Sequence, residues 1–315
     1  MLARRPIRFA WLTVALLLLA ACGSPQISQP FSRSALRSAI PPSGSSGDLI
    51  YATGYSDASG SETFMLSYPQ GQLVGSIPGP VEAMCSDTNG NMYLLYRNAV
   101  TEYAHGSTTS LRTLRIPGAE LYSCSVDPSS NDLAVIFNCP PCGNQNLAIF
   151  PNGSGTPTRY GAPYAYTSTY DNQGNLFLGG YSGSAISELP KGSQTFTTIT
   201  LSEGITYVGP IQWDGTYVTL QGGRSPAGIY RIQVSGSTGT VVGETKFSGY
   251  MRNVGYSSIS VQDAAVIMPF STHGTETNDL GVWKYPRGRH AINVIKKIGT
   301  GDHGFGSVAI SVAPH

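Results

Sequence analysis

Few residues in this chain have the type and spacing to do chemistry, and they are scattered. His273-Gly-Thr-Glu276-Thr-Asn-Asp279 puts three metal-ligating side chains within seven residues, a set that could hold Ca²⁺ or Zn²⁺. It lacks the Asp/Asn/Gly spacing of calcium loops, so a solvated polar loop is the expectation. Cys139-Pro-Pro-Cys142 has the C-x-x-C spacing of redox centres, where a lowered thiol pKa creates the nucleophile. Here it follows a strand pattern without βαβ context, and two prolines oppose a helix start. A structural disulfide or a pair of idle thiols is expected instead. No Gly-x-Ser-x-Gly elbow and no phosphate-cradling loop occurs. The other candidates (Glu82, Glu120, Arg252, Asn253, Asp302 and His303) mean something only if the fold gathers them.

The elements that would gather them repeat. A turn led by an apolar residue and closed by glycine appears as Tyr68-Pro-Gln-Gly71, Tyr103-Ala-His-Gly106 and Phe150-Pro-Asn-Gly153. It returns as Leu189-Pro-Lys-Gly192, Gln233-Val-Ser-Gly236 and Tyr285-Pro-Arg-Gly288. Intervals of 35, 47, 39, 44 and 52 residues with strand-rich sequence between them are the period of a β-propeller. A second element runs out of phase: a small or apolar strand, a turn, another strand. Cys85-Ser-Asp-Thr-Asn-Gly-Asn91, Cys124-Ser-Val-Asp127, Thr169-Tyr-Asp-Asn-Gln-Gly-Asn175 and Gln212-Trp-Asp-Gly215 are copies. Asn-Gly and Asp-Gly steps supply the positive φ of a tight hairpin. The residues that follow, Met92 to Leu95 and Leu176 to Leu178, fit half-buried strands. Each unit reads as inner strand, turn, second strand, variable loop, third strand, aromatic-Pro-x-Gly turn, outer strand.

The first unit, from Asp48, lacks its inner strand. Ser311-Val-Ala-Pro314 matches Ser125-Val-Asp-Pro128, so the C-terminus is expected to complete the first blade and remove an open sheet edge. The fold class is therefore all-β: a six-bladed β-propeller of four-stranded blades over residues 48–315, closed by a C-terminal strand. The Asp-x-x-Gly-Asn-apolar pattern, closed by aromatic-Pro-x-Gly, is similar to that of NHL-repeat and SMP-30/gluconolactonase-like six-bladed propellers. The similarity covers nearly all of residues 48–314. It implies a scaffold shared by lactonases, lyase-like enzymes and peptide-binding modules, so fold alone does not name an activity.

Variable loops on such a scaffold fall on the face opposite the repeated turns, and binding concentrates there. Blade-to-blade connections should bring Glu82, Glu120, Tyr164, Tyr207, Arg252, Asn253, Asp302 and His303 toward the channel mouth. Solvated rim residues or channel plugs are the ordinary reading of such a set. No cofactor is expected from the residues themselves. The resemblance implies a divalent cation (Ca²⁺) on Glu, Asn and Asp oxygens, although no spacing here matches those ligands one by one. His273, Glu276 and Asp279 are the weaker metal candidates. Tyr122, Tyr164, Tyr166 and Tyr170 fall near one blade boundary, where aromatic faces could stack on a glycan or simply fill half-buried strand positions.

Arg4, Arg5 and Arg8 precede an apolar run, Phe9 to Leu19, too short to span a bilayer. Leu19-Ala20-Ala21-Cys22 looks like a lipobox: residues 1–21 would be cleaved and Cys22 acylated, anchoring the chain in the lipid bilayer of a bacterial envelope. Residues 22–47, rich in Ser and Pro, read as a disordered tether spanning about 25–30 Å. Four cysteines remain, an even number suited to an oxidising compartment. Cys85 and Cys124 match in position on neighbouring inner strands, where a bridge needs Cα atoms within about 7 Å; Cys139 and Cys142 could close a small loop.

Charged residues make up 12% of the chain and the formal net charge is +1, with no basic stripe, so no nucleic-acid partner is expected. The expected function is a lipid-anchored extracytoplasmic binding module for an unknown protein, peptide or glycan. A metal-dependent lactonase or hydrolase and an envelope assembly factor are the alternatives.

Overall fold

The computed structural model describes residues 47–56, 60–180, 183–205, 209–222, 228–248, 253–254, 256–271, 279–296 and 304–314. They form an all-β molecule of four-stranded blades in a propeller arrangement. The first strands are β1 (Leu49–Ser56), β2 (Gly60–Ser67) and β3 (Leu73–Pro78), paired in that order. A separate sheet holds β4 (Ala83–Ser86), β5 (Met92–Tyr96), β6 (Ala99–Tyr103) and β7 (Ser110–Arg115). Another holds β8 (Glu120–Val126), β9 (Leu133–Asn138), β10 (Leu147–Phe150) and β11 (Thr158–Tyr160).

Two further antiparallel runs follow. One is β12 (Thr167–Tyr170), β13 (Leu176–Gly179), β14 (Gly183–Leu189) and β15 (Thr197–Ile205). The other is β16 (Ile211–Trp213), β17 (Val218–Gly222), β18 (Gly228–Ser235) and β19 (Thr238–Lys246). Then β20 (Asn253–Val254) and β21 (Ser258–Ser260) both pair with β22 (Ala265–Ser271), which continues to β23 (Asp279–Lys284) and β24 (Asn293–Ile295). Finally β25 (Val308–Ser311) returns to β1, with Leu49 opposite Ser311 and Ala52 opposite Val308. The C-terminus thus supplies the inner strand that the first blade lacks.

Separate four-stranded sheets are expected from the repeat, but hydrogen bonding yields five sheets among the described residues, one of them eight-stranded. The cause is local. The outer strands β15 and β19 are each nine residues long and meet side by side in parallel, Thr200 opposite Thr238 and Leu201 opposite Gly239. Gly239 permits the approach, because a Cβ there would press on Leu201. Two exposed sheet edges are covered at once.

The middle strands are not half-buried as their alternation suggests: Met92, Tyr93, Leu94 and Leu95 are all buried. Alternate residues serve different cores. Tyr93 and Leu95 pack with Leu133, Val135 and Phe137 of β9. Met92 and Leu94 pack with Leu49, Tyr51 and Met65 of the first blade. On β9 the same division puts Ala134 and Ile136 against Leu176 and Leu178. Period-2 patterning therefore runs between two neighbours rather than between core and water. Among the described residues the clusters link each run to the next, and the last joins Ala265 and Ile267 of β22 to Ile50 and Ala52 of β1.

Asp87 and Asp171 hold their turns. Asp171 accepts from the backbone N–H groups of Gln173 and Asn175 (both 2.9 Å) and from Asn175 Nδ2 (2.8 Å). Asp87 does the same with Asn89 and Asn91. Ring closure has its own contacts: Ala313 N–H donates to Asp48 Oδ1 (2.8 Å), and His105 Nδ1 lies 2.6 Å from Ser311 Oγ. Gly90, at φ +77°, turns beside Val312, where an added Cβ would run into the Val312 carbonyl oxygen.

Candidate functional site

The inner strands surround a cavity of about 250 Å³. Its wall is made by Ala83–Ser86, Tyr122–Val126, Thr167–Tyr170, 210–213, 256–258 and 307–310. Hydroxyls dominate among the described lining residues, with seven serines and two threonines, and none of these is Asp, Glu, Lys, Arg or His. Several of these groups already serve the ring. Ser125 and Ser168 hydroxyls lie 2.9 Å apart across a blade boundary, and Ser86 Oγ donates to the Ile310 carbonyl (2.8 Å). The Gln212 amide is used at both ends, donating from Nε2 to Ser257 Oγ (3.1 Å) and accepting at Oε1 from the Ile259 N–H (2.8 Å). Such a ring of small polar contacts seals blade against blade without burying charge.

Tyrosines gather where the inner strands begin, at the variable-loop end. The rings of Tyr122 and Tyr166 are 5.9 Å apart at 46°, and Tyr256 OH donates to Tyr166 OH (3.2 Å). Tyr122 is the extra residue of a β-bulge: Leu121 pairs with Phe137 and Ser123 with Ile136, leaving Tyr122 unpaired. Bulges of this kind re-aim a side chain beside functional sites. Tyr164, 41% exposed, has φ +54°, an uncommon conformation for a bulky residue. Tyr170 lies at the opposite end and packs with Leu176 and Leu189; burial raises its phenol pKa, and Asp127 and Asp132 raise it further.

The two cysteine pairs are both disulfides. Cys85 and Cys124 join β4 to β8 with Cα atoms 5.7 Å apart, and both line the cavity. Cys139 and Cys142 close a short loop. Contrary to expectation, the two prolines of that loop do not exclude helical geometry. Pro140–Cys142 forms one 3₁₀ turn with proline in its first positions, where no N–H is needed.

Of the carboxylates named from sequence, the described ones (Glu82, Glu120 and Asp279) do not line the cavity. Glu82, exposed, directly precedes the lining residue Ala83, and its N–H donates to the Leu95 carbonyl (2.8 Å). Glu120, also exposed, accepts from Tyr122 OH (3.4 Å). Asn253 contributes a β20 backbone pair with Ser271. Arg252, Asp302 and His303 lie outside the described residues, as do Tyr207, His273, Glu276 and Cys22. Asp279 begins β23, opposite Phe270. Among the described residues no three His, Cys, Asp or Glu side chains stand together as a metal site.

Buried acids elsewhere have structural partners. Glu102 pairs with Arg112 on the adjacent strand. Asp127 accepts from Ser129 and Ser130, and Lys191 of the next blade lies 3.8 Å away. What sequence reading missed is the hydroxyl lining. Its signal was present in the inner-strand copies, where Ser86, Ser125 and Thr169 follow one small or hydroxyl-bearing residue in each.

No family model matches the sequence, and no curated protein matches it. Solved structures do. A protein of unknown function from Bacteroides caccae superposes with a TM-score of 0.61 at 11% identity, covering 84% of this chain and 99% of the other. The β-propeller domain of Myceliophteria thermophila Cps50 (Swd1) gives 0.55 at 9% identity, covering 86% and 91%. At such identities the likeness speaks for the propeller fold alone.

Proposed function

We propose that this chain is an exported, lipid-anchored, six-bladed propeller of the NHL-repeat or SMP-30-like kind that works as a binding module through its variable-loop face. One observation carries the binding reading: a cavity walled by hydroxyl and amide groups and rimmed by tyrosines, with no Asp, Glu, Lys, Arg or His among the described lining residues. Such a wall can recognise but offers no acid, base or nucleophile pair for turnover among these residues. Six copies of the turn and six inner-strand runs around one cavity support six blades. The two disulfides are compatible with export. The basic, apolar and small-residue segments ending at Cys22 support the anchor.

The metal-dependent hydrolase has no comparable observation behind it, since Arg252, Asp302 and His303 lie outside the described residues. Elemental analysis of the purified chain with metal-dependent thermal shift separates the two readings. A binding module carries no stoichiometric divalent ion and gains no stability from Ca²⁺ or Zn²⁺; a bound ion that stabilises the protein overturns the reading in favour of the enzyme. Labelling with a radioactive fatty acid tests the anchor: the parent takes label and Cys22→Ser does not, whereas persistent labelling of Cys22→Ser refutes it.

A further inference from the structure

We infer that the tyrosine-rimmed mouth and hydroxyl-lined channel form a subsite for an uncharged sugar residue, entered end-on from the variable-loop face. The inference rests on the binding-module reading and names its ligand class. Charge excludes one set of ligands. A carboxylate, phosphate or ammonium entering this cavity would shed water against described lining residues that carry no opposite charge, which costs several kcal/mol by the usual scale of ion burial. Hydroxyls exclude another. An apolar ligand would strip water from the open Ser123 and Ser258 oxygens without replacing their hydrogen bonds. A polyol satisfies both conditions, since each ring hydroxyl can donate and accept.

Position supports the same ligand. Among the described residues Ser123 and Ser258 line the cavity, and their side-chain hydroxyls, unlike their paired backbones, have no partner within the protein and are open to a ligand. Ser123 follows the bulged Tyr122, which brings an open hydroxyl and an aromatic ring to one place at the rim. Sugar rings present a C–H face and a hydroxyl edge, which suits a tyrosine beside a serine. The cavity, at about 250 Å³, lies just below the ~300–1,000 Å³ of drug-sized sites. That is room for one ring rather than for a folded partner. The Tyr166–Tyr256 hydroxyl contact spans from the fourth run to the last and narrows the entrance, favouring a chain end. Tyr164, 41% exposed and two positions before Tyr166 in the chain, offers an aromatic ring for the next residue of an oligosaccharide.

The test is calorimetric titration of the full chain in detergent with maltose, cellobiose, xylobiose and N,N′-diacetylchitobiose, alongside a neutral hexapeptide pool. At least one sugar should bind saturably at one site. Tyr122→Ala should weaken it about five- to tenfold, the scale of one lost ring contact. Tyr122→Phe keeps the ring and should retain binding; Ser123→Leu blocks the channel and should abolish it, with thermal unfolding confirming that each variant is folded. Sugar binding that survives both Tyr122→Ala and Ser123→Leu overturns the location. No sugar bound, but peptide binding lost in Ser123→Leu, overturns the sugar inference and leaves the binding module standing. If neither sugar nor peptide binds, both fall.

Discussion

Replacing Cys85 and Cys124 together by alanine cuts the covalent link between neighbouring inner strands. The sequence separation is 39, so the bridge closes a loop of about 40 residues. The chain-entropy expression, −2.1 − 1.5R ln n cal/mol/K, then gives about 4 kcal/mol at 25 °C. For Cys139 and Cys142, separated by 3, it gives about 2 kcal/mol. At roughly 2 °C per kcal/mol for a domain of this size, the expected losses in Tm are about 8 °C and 4 °C. The folded state should change little, since Cys85 and Cys124 pack in a cluster with Leu133 and Val135 where alanine keeps a small apolar side chain. Calorimetric melts of parent and both double variants, each with and without reductant, make the assay. Reduced parent and both reduced double variants should melt together, since reductant opens whichever bridge each retains. The released unfolded chain exposes more surface, so the denaturant m-value should rise. If Cys85→Ala/Cys124→Ala loses no more than Cys139→Ala/Cys142→Ala, loop closure is not how the bridge acts.

Three further outcomes follow from the turns and the closure. Asp171→Ala leaves two backbone N–H groups without their acceptor and should cost about 2–4 kcal/mol in denaturant unfolding, whereas Asp171→Asn should recover most of it; equal losses would contradict the capping role. Gly90→Ala must hold a side chain at φ +77° against the Val312 carbonyl, so it should destabilise by about 1–3 kcal/mol and expose the C-terminus to carboxypeptidase; parental protease resistance would show that closure does not depend on this approach. Burial pulls the Asp127 carboxyl up, but hydrogen bonds from Ser129 and Ser130, with Lys191 nearby, hold it below its ordinary value. A depressed folded pKa stabilises the fold above the unfolded value near 3.9 and loses that contribution as pH falls through the folded pKa. The stability gap between parent and Asp127→Asn should therefore be full at pH 6 and shrink below about pH 4; a gap independent of pH would refute it.

Much of the scaffold was legible because each signal is local. Asp-x-x-Gly-Asn makes a turn wherever it stands, since the Asp171 carboxylate reaches only to residues two and four positions on. The match of Ser311-Val-Ala-Pro314 to Ser125-Val-Asp-Pro128 foretold the returning strand, and matched cysteine positions foretold a bridge. Burial was misread in the middle strands. Met92 to Leu95 alternate between two cores, and alternation along one strand cannot tell a second core from solvent.

The site depended on contacts that no local pattern encodes. Reading for chemistry favoured charged residues, and Glu82 and Glu120 stay on the exposed rim while uncharged serines line the channel. Tyr122 reaches the mouth because a bulge displaces it, and its neighbour Tyr166 meets Tyr256 from 90 positions away. The sequence by itself determined the repeat, the blade plan and the closing strand, because those rest on turns and strand patterns within about 45 residues. Only the tertiary structure decided what faces the axis, because the channel wall takes a few residues from every inner strand, and their chemistry appears only once the ring has closed.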